Sequence, residues 1–284
     1  MLHRRAGDRN DIGIRYGVAE TIGFRDQMED TYAIREEGTI LFGAEVYDGH
    51  SGSFAARVAA DRLFHYFTHA DRGDGEEGAQ PSLSAEALRE AYLATDRRIL
   101  GEGTESGAAA ATFYVQGRRF LAANAGDVRI VLAEGGRAVD LTLDHKPDLP
   151  EERARIEALG GRVIFLDVPR VQGTLAMSRA LGDASLKPFV TAEPRIVEGT
   201  LGQSDELVVI ACDGLWDVLT SEEAVAMART ASGPQQAAQL LREKALAWGS
   251  TDNITVIVLD MREYTAGCEE KRLRVSRVLD RAIL

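Results

Sequence analysis

Four short acidic clusters stand out in this chain of 284 residues: Met28-Glu29-Asp30, Asp48-Gly49-His50, Cys212-Asp213-Gly214 and Asp252-Asn253. Asp-Gly is a common turn signal and acidic side chains usually sit in water, so no cluster speaks alone. Their neighbours change that. Asp48 closes the apolar run 40–47, Asp213 closes the run 207–212, and Asp252 stands just ahead of 254–259. Each carboxylate is therefore expected at the end of a buried strand. Strands of one core lie side by side, so acids at their ends converge. Converging carboxylates repel one another and lose hydration unless a cation holds them together. The pattern asks for a metal.

Magnesium and manganese prefer oxygen ligands, keep several waters and commonly bind through a few carboxylates, which is the set on offer. A glycine beside Asp48 lets its backbone carbonyl approach a cation closely. Two metals bridged by one carboxylate would present hydroxide at neutral pH, a nucleophile for phosphoryl or acyl transfer to water. His50 follows Asp48 by two positions and is expected to share a tight turn with it; the unperturbed pKa of an imidazole, about 6.5, suits proton donation to a leaving alkoxide near neutral pH. His3, His65, His69 and His145 read as ordinary packed or exposed side chains. Arg25, five residues before Asp30, is either a surface arginine or a planar fork for a phosphate.

The elements that must position these residues are short strands and a few longer helices. Strands are predicted over 14–19, 31–35, 39–47, 109–116, 118–124, 128–133, 137–141, 195–199, 206–212 and 254–260. Gln116-Gly117-Arg118 and Glu134-Gly135-Gly136 read as hairpin turns. Helical patterns cover 51–69, 84–101, 150–159, 221–230 and 234–248. Thr220 with Glu223, and Asp148 with Glu151, have capping-box spacing, and Gly160-Gly161 is a helix stop. The polar, Gly-rich stretch 71–81 reads as a mobile connection between two long helices. Grouped hairpins with paired helices predict α+β layers in one domain over 14–261. Residues 1–13 read as a flexible tail. Residues 262–284 carry Val275, Val278, Leu279, Ala282 and Ile283 at helical spacing among basic residues, which predicts an amphipathic helix. It docks on its own acidic domain or, in the minority reading, on a partner or an anionic membrane.

Composition excludes some functions. A net charge of −12 argues against nucleic acid as the main partner, because phosphate backbones select basic faces. No run approaches a membrane-spanning helix and no secretory signal is visible. The two cysteines, Cys212 and Cys268, show neither zinc spacing nor a disulfide framework, which favours a reducing compartment and a cytoplasmic location. Cys212 reads as core packing.

The chain resembles the metal-dependent PPM (PP2C-type) protein serine/threonine phosphatases over about residues 14–260. The matching stretches, in the family's order, are 25–30 (Arg-Asp-Gln-Met-Glu-Asp), 46–50 (Val-Tyr-Asp-Gly-His), 123–129 (Ala-Asn-Ala-Gly-Asp-Val-Arg) and 143–147 (Leu-Asp-His-Lys-Pro). They continue with 175–183 (Leu-Ala-Met-Ser-Arg-Ala-Leu-Gly-Asp), 192–194 (Ala-Glu-Pro), 211–217 (Ala-Cys-Asp-Gly-Leu-Trp-Asp) and 252–255 (Asp-Asn-Ile-Thr). The resemblance implies a central β-sandwich of two antiparallel sheets flanked by helix pairs. It implies that Asp48 bridges two Mn or Mg ions, that the Gly49 carbonyl contributes to one, and that Asp213 and Asp252 hold the other. Glu29 and Asp30 would orient metal-bound waters. Asp127, otherwise a turn aspartate, would join Asp213 at a weaker third metal. Arg25 would grip the phosphate of a phosphorylated protein, a bridging hydroxide would attack phosphorus in line, and His50 would protonate the leaving serine or threonine oxygen.

Two departures from the family's pattern matter. Asp-Gly-His-Gly-Gly is here Asp48-Gly49-His50-Ser51-Gly52, with Ser51 expected to cap the next helix. Ser-Gly-x-Thr-Ala is here Ser106-Gly107-Ala108-Ala109-Ala110, which loses a hydroxyl near the core. The segment 162–194 is expected to hold a variable flap, with Arg170, Gln172, Arg179 and Lys187 mainly structural. Two other functions stay open: a pseudophosphatase that binds phosphoproteins without turnover, and a different dinuclear hydrolase such as a phosphodiesterase or nuclease. A monomer is expected.

Overall fold

Alternating apolar residues build two sheets whose inner faces meet. The computed structural model describes residues 12–38, 41–70 and 83–266. One sheet has the order β1 (Arg15–Thr21), β13 (Ile254–Asp260), β12 (Asp205–Ala211), β6 (Arg129–Glu134) and β7 (Arg137–Asp140). The other has β11 (Arg195–Thr200), β5 (Arg119–Ala125), β4 (Gly107–Gln116), β3 (Leu41–His50) and β2 (Thr31–Glu37), with β10 (Leu181–Gly182) beside β4. All neighbours in both sheets are antiparallel.

Side chains alternate across each strand, so each sheet has two faces to cover. Phe42, Ala44 and Val46 of β3 meet Val208, Ile210, Ile257 and Leu259 in the core between the sheets. Leu41 and Tyr47 of the same strand face α1 (Phe54–His69) and α2 (Ala85–Leu100). Val209, Val256 and Val258 are covered by α5 (Ser221–Thr230) and α6 (Pro234–Ala247). The layers are helix, sheet, sheet, helix, as the resemblance implied. Each fully buried side chain of this kind contributes about 1.5–3 kcal/mol.

Local signals hold at several joints. Gly135 and Gly136 both have positive φ, 55° and 81°, the backbone that a two-residue hairpin loop requires. The Thr220 hydroxyl accepts from the Glu223 amide while the Glu223 carboxylate accepts from the Thr220 amide, closing the capping box of α5. Other signals are overridden. Asp148 does not cap α3 (Pro150–Ala158); Leu149 holds that place with no side-chain cap, and Pro150 in the first turn needs none. The first long helix starts at Phe54, not at 51, and Ser51 does not cap it: Ser51 sits at φ 55° and the capping position falls to Ser53. Three very short strands, β8 (Val163–Phe165), β9 (Pro169–Val171) and β10, were not predicted because two or three residues carry no period. The expected tail at 1–13, the connection at 71–81 and the helix at 262–284 fall wholly or mostly outside the described residues.

Candidate active site

The strand β3 does not stop before Asp48. It continues to His50, with Asp48 opposite Ala109 and His50 opposite Gly107 of β4. The expected strand end and tight turn at 48–50 are therefore replaced by three more residues of ladder. Pairing with β4 outweighs the local turn preference of Asp-Gly. The period of two then puts Asp48 and His50 on the inner face with Val46 and turns Gly49 the other way. A Cβ on Gly49 would sit 2.4 Å from the Glu29 carbonyl oxygen, so only glycine fits between β3 and that segment.

The other acids arrive from different strand ends. Asp213 opens the short helix α4 (Asp213–Trp216) after β12, Asp252 precedes β13, and Asp127 lies between β5 and β6. With Glu29, Asp48 and Asp217 they line one cleft of about 910 Å³ at an end of the sandwich. Asp30 lies behind Asp48: one carboxylate oxygen of each and the Cys212 sulfur lie within 4.8 Å of one another.

Electrostatics show what this costs. Lost hydration, then Asp213, Asp30, Asp127 and Asp252, hold the Asp48 carboxyl well above the usual range. Lost hydration and Asp127, Asp217 and Asp252 do the same to Asp213, against the pull of Lys146. Burial pushes Asp30 up to about 6, although the Thr255 hydroxyl donates to it at 2.8 Å. Two cations of the chain answer part of the charge: Lys146 Nζ reaches Asp127 Oδ2 at 2.6 Å, and Arg25 Nη2 reaches Asp252 Oδ2 at 2.6 Å. Asp127 Oδ1 is buried without a partner among the described residues. The partly buried, under-neutralised carboxylates that line the cleft fit a hard divalent cation.

The structure brings Arg25, Glu29, Asp48, Gly49, His50, Asp127, Asp213 and Asp252 to this cleft, with Asp30 beside Asp48. Glu29 Oε1 accepts from the Gly52 amide at 2.6 Å, and the Glu29 amide donates to Asn253 Oδ1 at 2.7 Å, tying the first cluster to the second and the fourth. Arg25 is half-exposed at the cleft. His50 Nε2 lies 2.8 Å from Asp183 Oδ1. Cys212 is fully buried in the core between the sheets, as expected, yet its sulfur also adjoins the Asp30 and Asp48 carboxylates and accepts from the Thr255 amide at 3.2 Å. His145 is an interior side chain that burial first, then Arg179, pushes down to about 4, so it packs neutral.

Three residues of the site escaped the sequence reading: Lys146, Asp183 and Asp217. Asp217 had a readable signal, since four residues after Asp213 is one helical turn on the same face. Lys146 and Asp183 had none beyond lying in stretches that match the family. In the 162–194 segment, Arg179 binds the buried Glu152 at 2.5 and 3.0 Å and Lys187 binds Asp96 at 3.0 Å, which are structural roles. Gln172 accepts from the Arg162 amide. Arg170 pairs with Asp167 while lining the cleft with Val168 and Pro169 from the β8–β9 hairpin.

A family model described as "Protein phosphatase 2C" matches residues 14–254. The chain belongs to the protein phosphatase 2C family. It is 41% identical over 261 residues to "Probable protein phosphatase 2C 59" of Oryza sativa subsp. japonica, covering 87% of this chain and 76% of that protein. The relative of the same name in Arabidopsis thaliana is 39% identical, over 89% of this chain and 81% of that one. Among solved structures, a C. elegans sex-determining protein superposes with a TM-score of 0.79 at 25% identity, covering 90% of this chain and 67% of that one. A serine-threonine phosphatase 2C from Toxoplasma gondii gives 0.75 at 23% identity, over 87% of this chain and 94% of that one, a likeness of fold. As a PP2C member the chain is a phosphatase of a metal-dependent family.

Proposed function

We propose that this cleft hydrolyses phosphoserine and phosphothreonine in proteins, using two Mn or Mg ions and a weaker third. The observation that carries this reading is the convergence of Asp48, Asp213, Asp252 and Asp127 from separate strand ends onto one cleft that Arg25 and His50 also line. Asp48 and the Gly49 carbonyl would hold one ion, Asp48 with Asp213 and Asp252 a second, and Asp127 with Asp213 the third. Bound ions would neutralise phosphate oxygens and acidify water enough to give a nucleophile near neutral pH.

The chain's own residues do the rest. Glu29 and Asp30 orient water: Asp30 is fixed by Thr255, and Glu29 is anchored by the Gly52 amide. Arg25 spends one donor on Asp252 and keeps the remainder of its planar fork for phosphate oxygens. His50, on the same face as Asp48, delivers a proton to the serine or threonine oxygen as it leaves. The complete acidic set supports turnover over mere phosphoprotein binding.

The test is a panel of phosphoserine, phosphothreonine and phosphotyrosine peptides assayed with added Mn or Mg. Hydrolysis of the first two well above the third is expected. A preference for phosphotyrosine, or for phosphodiesters, would contradict the substrate assignment.

A further inference from the structure

The structure assigns to Asp183 the positioning of His50, so that the imidazole presents its second nitrogen to the substrate. This inference rests on the reading of His50 as proton donor. Three observations meet at one place. Asp183 is buried, yet its side chain forms no hydrogen bond among the described residues except the one from His50 Nε2, and Oδ2 has no partner. Its backbone sits at φ 56°, a left-handed conformation that a side chain disfavours. And β4 carries glycine at 107, between His50 on β3 and Gly182 on β10 in the sheet. A Cβ there would stand 2.2 Å from Asp183 Oδ2 and 2.3 Å from His50 Nε2. The fold thus accepts a strained residue and an empty position to bring this carboxylate to this ring.

The chemistry follows from donor and acceptor roles. A carboxylate only accepts, so His50 Nε2 carries the hydrogen. That leaves Nδ1, without a partner among the described residues and covered in the resting site, as the nitrogen that serves the leaving oxygen once the ring pivots on its Asp183 bond to uncover it. When Nδ1–H gives its proton to the departing serine or threonine oxygen, the neutral tautomer left behind has its hydrogen on Nε2. That is the tautomer Asp183 binds. Asp183 therefore fixes ring orientation and tautomer and stabilises the imidazolium that donates the proton, as a carboxylate does for a catalytic histidine elsewhere.

The test compares leaving groups. Alkyl phosphate esters, including a phosphoserine peptide, need protonation of the departing oxygen, whereas p-nitrophenolate leaves without it. Asp183→Asn keeps shape and tolerates left-handed backbone; Asp183→Gly relieves the strain, so at least one of the two keeps the fold. Both are expected to lose roughly 10–100-fold in kcat on the phosphopeptide and under about threefold on p-nitrophenyl phosphate, within the range of general-acid effects. His50→Ala is expected to show the same split, and His50→Ala/Asp183→Asn to be no worse than His50→Ala alone. Equal losses on both substrates, wild-type rates, or multiplying losses in the double variant would overturn the role of Asp183. An equal loss on both substrates in His50→Ala itself would instead overturn the reading of His50.

Discussion

At Asp48 lost hydration comes first, and four other carboxylates then add to the cost of ionising it. Its raised pKa fixes a sign. In protein freed of metal, the proton-binding carboxyls stabilise the fold below the ordinary carboxylate pKa, and that stability is lost as pH rises through their raised values. For Asp30 the window lies between about 4 and about 6. Metal-free protein is therefore expected to lose on the order of 1–3 kcal/mol of unfolding free energy over that range. Asp48→Asn removes one buried charge and should raise metal-free stability near neutral pH by on the order of 1–2 kcal/mol, while forfeiting the stabilisation that Mn gives the native chain. Denaturant titrations with chelator and with Mn check both halves. A variant less stable than the native chain in chelator would contradict the electrostatic account.

At the scale of elements, β3 and the entry to α1 show what a sequence can and cannot say. The long strands and the five longer helices follow from periodicity because each buries a wide apolar face, and their ends shift by only a few residues. Asp48-Gly49-His50 read as a turn because turn preference is local, whereas the ladder to β4 that extends the strand is tertiary. The short β8, β9 and β10 escaped for the same reason: pairing, not propensity, makes them. Ser51 is the cost of that geometry. It leaves β3 at φ 55°, where the family's pattern has glycine. Ser51→Gly should stabilise the protein by about 0.5–1 kcal/mol after the extra freedom of glycine in the unfolded chain is subtracted, a rise in Tm of roughly 1–4 °C. A lower Tm would mean that the serine makes a compensating contact.

Over the whole molecule, two sheets from distant parts of the chain close one acidic cleft, and no helix among the described residues is long and apolar enough to cross a membrane. The strand-end acids were legible one by one, and Asp217 by its helical spacing from Asp213; Lys146 and Asp183 became meaningful only when the layers brought them together. The four-layer order came from motif resemblance, since hairpins and helix pairs alone predict only α+β layers. The central claim is that this convergence exists to hold divalent cations for phosphate ester hydrolysis. Its most direct test is the rate of phosphopeptide hydrolysis against Mn concentration, after exhaustive chelation, in the native chain and in Asp213→Ala. The native chain should be inactive without metal and recover on titration, while the variant stays more than roughly 10³-fold below it. Full activity in chelated protein, or an active Asp213→Ala, would contradict the account.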